Sequence, residues 1–182
     1  MLCASGVVGC VDLLEPVAAL LEESRRYLME EEARGLIGTR HALPMQAFAS
    51  SLSSSSSSCP RYALVWVQWV LIYLVDDVSF VAFMRALERV LAVGGVVVVK
   101  ENHTRQERGF VVDASDASIT RSRRHLDALF AVAGFTTLTR LHVPLWPQQL
   151  FPVTLWALMR SEDKRRYDHD RLHQQEQQQH QR

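Results

Sequence analysis

Three short polar stops interrupt an otherwise apolar pattern, and they are where this sequence can do chemistry. Asp12 closes the run GVVGCVD, Gln68 and Trp69 close YALVWVQW, and Glu101 and Asn102 close GGVVVVKEN. If the three runs are parallel strands, these residues gather at the carboxyl ends of one sheet, where α/β proteins bind their ligands. A carboxylate pair, Asp113 and Asp116, follows in DASDAS. Each residue also has a plainer reading. Gln68 can satisfy backbone at a strand end, Asp116 can cap a helix ahead of Ala117 and Ser118, and Trp66 reads as core. Asp113 has the weakest structural excuse.

Metal chemistry finds little support. His103, His125 and His142 show no ligand spacing, and Cys3, Cys10 and Cys59 form no CxxC pair, so no metal ligand is assigned. The cysteines read as free thiols of a reducing compartment. Lys plus Arg (20) equals Asp plus Glu (20), which argues against bulk electrostatic binding to nucleic acid or an anionic membrane. The apolar run 62–75 is shorter than the roughly 20 residues of a membrane-spanning helix, and it carries a glutamine. The N-terminus lacks the basic leading region of a secretory signal. At 182 residues the chain suits one globular domain of ordinary size.

The elements that must position these residues alternate. Val7–Leu14 reads as a strand, followed by a helix opened by Glu15 and Pro16, and Ile37–His41 as another short strand. Pro44–Phe48 reads as a loop. The serine run 50–60 reads as a flexible surface insertion, with phosphorylation as the alternative. Tyr62–Trp69 lacks alternation and suits a central strand buried on both faces. Asp76 or Asp77 caps a helix with Phe80, Phe83, Met84, Leu87 and Val90 at helical spacing, and Gly94 and Gly95 stop it. Val96–Lys100 is a second doubly buried strand. A loop spans Glu101–Ser118, a helix Ile119–Ala133, and strands Phe135–Val143 and Val153–Met159. The last two strands have no helix between them, so one runs antiparallel. The fold class is α/β, with a domain over residues 1–160 and a polar tail over 161–182 that is disordered or a frayed helix.

The blocks WVQWVLIYLVDD, GGVVVVKEN, GFVVDASDASITRS and LFPVTLWALMR, in this order, resemble the protein N-terminal α-amine methyltransferases. The resemblance covers about residues 7–160. It implies a class I, Rossmann-like sheet with helices on both faces, S-adenosylmethionine as cofactor, and methylation of the free α-amine of proteins beginning X-Pro-Lys. It also implies a cytoplasmic protein, with the nucleus as a second location; oligomeric state is left open. Position by position, it places Asp12, Leu13, Leu14, Met45, Gln46 and Gln68 on the cofactor. It places Trp69, Asn102, Asp113, Asp116, Ser118 and Phe151 along the substrate channel. Asp113 and Asp116 would bind the ammonium, orient it and pass its proton to water, and Trp69 would offer an aromatic face to the cation.

The sequence departs from the family pattern in three ways. The first strand and its D-x-G-x-G-x-G turn are not found, nor are the helices that cap the channel. The chain is therefore expected to be truncated at its start and to bind the cofactor weakly or not at all. An inactive, methyltransferase-derived binding protein is the alternative. Tyr73 stands where many members carry a histidine that assists proton removal. With a pKa of about 10 it is a poor base but can relay a proton through water.

Overall fold

A computed structural model describes residues 9–54 and 61–180, with side chains to residue 52 in the first stretch and to residue 173 in the last. The chain divides into two compact units, Met1–Ser54 and Ser55–Arg182.

The first unit is a parallel pair of strands, β1 (Val11–Leu14) and β2 (Ile37–His41), joined by helices α1 (Ala18–Tyr27) and α2 (Met29–Ala33). The proposed start of β1 at residues 7 and 8 lies outside the described residues. Helix α2 ends on Gly35 at φ 68°, the left-handed turn that glycine takes without strain. Arg40 of β2 reaches back to Glu32 through both oxygens, at 3.2 and 3.0 Å, tying the second strand to the crossover. Residues 44–48, expected as a loop, instead lead into and begin helix α3 (Met45–Ser54), which also takes in the first four serines of the run. The exposed and half-buried serines turn their hydroxyls onto the helix itself. Ser50 Oγ donates to the Gln46 carbonyl (2.9 Å) and Ser51 Oγ to that of Phe48 (2.7 Å), so a polar run is compatible with a helix whose apolar side is Phe48 and Leu52. The remaining serines at 55–58 lie outside the described residues.

The second unit is built on a four-stranded sheet of order β3-β4-β8-β7: Tyr62–Gln68, Leu91–Asn102, Val153–Arg160 and Phe135–His142. β3 and β4 are parallel, and β8 runs antiparallel to both neighbours, as the missing helix between the last two strands requires. Helices α4 (Asp77–Val90) and α5 (Arg123–Val132) supply the buried stripe. Asp76 caps α4 by accepting the Ser79 N–H at 2.7 Å, and Ser122 caps α5 by accepting that of His125 at 3.3 Å. The deepest core is an aromatic chain from Phe80 through Phe130 to Trp156, each step 5.8 Å between ring centroids. Trp156 is also tied at Nε1 to Asp127 (2.9 Å). α6 (Ser161–His180) follows β8 without a break, and Asp163 in its first turn accepts from Arg160 Nε at 2.8 Å.

Four expectations are corrected. β3 is an edge strand, not a central one: of its seven residues only Val67 is buried, and Trp66, expected in the core, is 44% exposed. Gly94 and Gly95 do not terminate α4, which ends at Val90. They sit inside β4, where the register jumps from Tyr62↔Leu91 to Leu64↔Val96, and a Cβ on Gly95 would lie 2.9 Å from the carbonyls of Ala92 and Tyr62. Glu101–Ser118 is not one loop. β4 runs on to Asn102, and an antiparallel hairpin, β5 (Phe110–Asp113) with β6 (Ser118–Arg121), fills the rest. Ile119–Arg121 therefore belong to a strand, and the helix starts at Arg123.

Candidate active site

The hairpin carries the two carboxylates, and its own side chains shape them. Asp113 Oδ1 accepts from both the amide (2.9 Å) and the hydroxyl (2.6 Å) of Ser115. These bonds favour the charged form and hold its pKa below the ordinary carboxylate range. Asp116 Oδ1 accepts the Ser118 N–H at 3.1 Å, with Ala117 between them in the left-handed region at φ 56°. Asp116 is therefore a turn residue of the hairpin and not a helix cap.

Two buried contacts fasten the hairpin to the sheet. Arg121, 1% exposed, donates from Nε to Asp77 Oδ1 (2.9 Å) and from NH2 to the Leu74 carbonyl (2.7 Å), and its guanidinium lies 5.1 Å from the Phe80 ring centroid. Thr104, just beyond β4, donates its N–H to the Arg121 carbonyl at 3.0 Å. The chain between β3 and α4 supplies the facing wall: a single 3₁₀ turn, Leu71–Tyr73, whose first residue is buried.

Together these elements line a half-open cavity of about 470 Å³ that brings together Asn102, Asp113, Asp116, Ser118 and Phe151 with Ile72 of the turn. Asn102 is one of the lining residues, and its Oδ1 is buried with no hydrogen-bond partner among the described residues. A buried acceptor left unpaired is costly, so this atom is suited to receive a donor from a ligand. Phe151 stands on the loop before β8, held where Arg105 donates to the Leu150 carbonyl (2.8 Å) and His103 N–H to that of Pro152 (3.0 Å).

Trp69 and Tyr73 are not among the lining residues. Trp69 leaves β3 with φ 52°, its N–H donating to the Lys100 carbonyl (3.0 Å), and its ring already carries a cation: Lys100 Nζ lies 4.4 Å from the centroid. Tyr73 is exposed at the end of the turn. Gln68 accepts from Trp66 Nε1 at 3.1 Å. One residue, named in the sequence as a strand-end polar stop but given no role, is conspicuous in the structure. Glu101 is 1% exposed and accepts the N–H groups of Leu71 (3.1 Å) and Asn102 (2.9 Å). Burial pushes its pKa up to about 7 against the pull of these amides. No period in VVVVKEN marks Glu101 as inward, because the strand expected from the sequence ends at Lys100 and leaves Glu101 in a loop.

In the first unit, Asp12 Oδ1 accepts the Thr39 N–H at 2.7 Å, and a Cβ at Gly38 would lie 2.2 Å from that oxygen, so glycine leaves the carboxylate its place. Leu13, Leu14 and Met45 are half-buried, and Gln46 is exposed in the first turn of α3. Acidic, apolar and amide groups of this kind fit the ribose and adenine of a nucleoside cofactor. Among the described residues, no group of three or more His, Cys, Asp or Glu side chains is placed to hold a metal ion, and no helix is long and apolar enough to cross a membrane.

Comparison with known proteins adds a family. The family model described as "AdoMet dependent proline di-methyltransferase" matches residues 3–159. The Arabidopsis thaliana alpha N-terminal protein methyltransferase 1 is 36% identical over 149 residues, covering 81% of this chain and 50% of that protein. The Danio rerio N-terminal Xaa-Pro-Lys N-methyltransferase 1 is 30% identical over 148 residues, covering 81% and 61%. A solved SAM-dependent methyltransferase from Leishmania major superposes with a TM-score of 0.68 at 32% identity, over 83% of this chain and 55% of the other. The chain thus spans about half the length of the first of these relatives.

Proposed function

Because the chain belongs to the AdoMet-dependent proline di-methyltransferase family and has its class I, Rossmann-like fold, we propose that it serves S-adenosylmethionine-dependent methylation of the free α-amine of proteins beginning X-Pro-Lys. The observation that carries this reading is the cavity in which Asn102, Asp113, Asp116 and Ser118 meet. Two carboxylates and an unpaired amide oxygen form an acceptor-rich site, matched to a ligand that brings only N–H donors and positive charge. A protein α-amine, with a pKa of about 7.7–8.0, is such a group.

S-adenosylmethionine supplies the electrophilic sulfonium methyl. Asp12, Leu13, Leu14, Met45, Gln46 and Gln68 are the residues proposed to hold it. The chain's other residues must hold the amine and expose its lone pair. Asp113, kept charged by Ser115, is suited to pairing with the ammonium more than to taking its proton. Asp116 stands beside it on the cavity wall, with one oxygen bonded to Ser118 N–H, and is proposed to accept the proton and release it to water. Asn102 Oδ1 fixes the donor that completes the orientation, and Phe151 supplies the apolar wall for the second residue, proline. Trp69, with Lys100 on its ring, is assigned to the outer channel. A cytoplasmic, and additionally nuclear, location accords with protein N-termini as substrates and is part of the same proposal.

The test is mass spectrometry of X-Pro-Lys peptides incubated with the chain at saturating cofactor. Methyl groups on the α-amine, and none on an N-acetylated control, are the expected result. Methylation confined to the lysine side chain, or none at all, overturns the proposal.

A further inference from the structure

We infer that Glu101 is the positioning residue of this cavity, its carboxylate holding the Leu71–Tyr73 turn against the end of β4 so that Ile72 and Asn102 keep their places in the wall. The inference rests on the proposed function only in naming what the wall receives.

The geometry is specific. The turn begins at Val70 with no side-chain cap of its own, so its leading N–H groups need an acceptor from elsewhere. Glu101 supplies it across the sheet. One oxygen takes the Leu71 N–H at 3.1 Å, and the other takes the N–H of its own neighbour Asn102 at 2.9 Å. One carboxylate thus binds two cavity segments together, the turn that contributes Ile72 and the strand end that contributes Asn102.

A merely structural role would not call for this residue. Glu101 is 1% exposed, and no ion pair or cationic partner reaches it among the described residues. Its shift is caused by burial, opposed only by the amides of Asn102, Leu71, Ile72 and Val70. The charged groups on the neighbouring elements are turned elsewhere. Lys100 lies over Trp69, His103 bonds the Thr104 carbonyl (2.9 Å) and Thr154 Oγ1 (3.0 Å), Arg121 bonds Asp77 and Leu74, and Asp113 and Asp116 bond their own turn. Tyr73 is exposed; β8 sets Thr154 opposite Glu101, and β3 ends on Gln68, neither of them charged. An apolar residue would fill the space at lower cost. What it would lose is a charged acceptor for two amides, the strong form of the hydrogen bond.

The experiment follows the Leu71 and Asn102 amide resonances of the 182-residue chain by ¹⁵N NMR from pH 5.5 to 8.5, with Glu101→Gln alongside. Both wild-type amides should move together with a midpoint near 7, and both should be flat in the variant. In parallel, the affinity for an Ala-Pro-Lys peptide is measured at pH 6 and pH 8. The variant should bind roughly tenfold more weakly than wild type at pH 8, the scale of one charge-assisted hydrogen bond, and within about twofold at pH 6. Leu71 and Asn102 amides that ignore pH in the wild type, or an affinity ratio equal at both pH values, would overturn the inference. If the variant does not fold, the wild-type amide titration decides alone. If neither protein binds the peptide, the proposed function fails while the amides still decide the role of Glu101.

Discussion

The Lys100 ammonium lies 4.4 Å from the centroid of the Trp69 ring, so the aromatic face expected to greet a substrate cation is already occupied by a cation of the chain. The contact locks the end of β3, where Trp69 turns into the left-handed region at φ 52°. A double-mutant cycle with Lys100→Met and Trp69→Leu, read by denaturant unfolding, should give a coupling of about 0.5–1 kcal/mol. A coupling indistinguishable from zero would mean that the two side chains are merely adjacent.

Stability should depend on pH through Glu101. Its folded pKa, about 7, lies above the ordinary 4.5. The folded state therefore holds this proton more tightly than the unfolded chain, and the contribution to stability falls as pH rises from about 4.5 to about 7, then levels off. The full span is of order 3 kcal/mol, at 1.36 kcal/mol per unit. Glu101→Gln lacks this dependence, so its stability relative to wild type should improve from pH 5 to pH 8. A constant difference across that range would show that Glu101 does not titrate near neutrality.

The Arg121–Asp77 pair anchors the hairpin. Asp77→Asn leaves a buried guanidinium with the Leu74 carbonyl and no counter-charge. A fully buried pair broken in this way costs about 3–5 kcal/mol, and because Asp77 is half exposed the expected loss is about 1–3 kcal/mol. Urea unfolding measures it. A loss under about 0.3 kcal/mol would place the anchoring in Thr104 and the strand ladder instead.

Periodicity was enough to read α4, β7 and β8, because each presents a clear apolar face or an alternating run. It failed where the burial pattern carries no period. All four residues of β5 are exposed, so Phe110–Asp113 reads as loop, and β6 runs almost directly into α5, so Ile119 and Thr120 read as its first turn. The apolar run of β3 signalled two covered faces, yet the strand lies at the edge of its sheet. Ser118 and Phe151 came to attention only through the resemblance, and Asn102, Asp113 and Asp116 took their roles from it, since their types alone permitted plainer readings. Glu101 escaped it, because its environment is made by backbone amides that no side-chain pattern announces.

The most direct test of the central claim, that this cavity receives a protein α-amine, compares one X-Pro-Lys peptide with its N-acetylated form by calorimetric titration into wild type and Asp113→Asn. The account predicts that wild type binds the free amine at least about tenfold more tightly than the acetylated peptide, the scale of a charge-assisted contact. It also predicts that Asp113→Asn removes most of that preference while the fold persists. Equal affinity of wild type for the two peptides, or a preference that Asp113→Asn leaves unchanged, would contradict it.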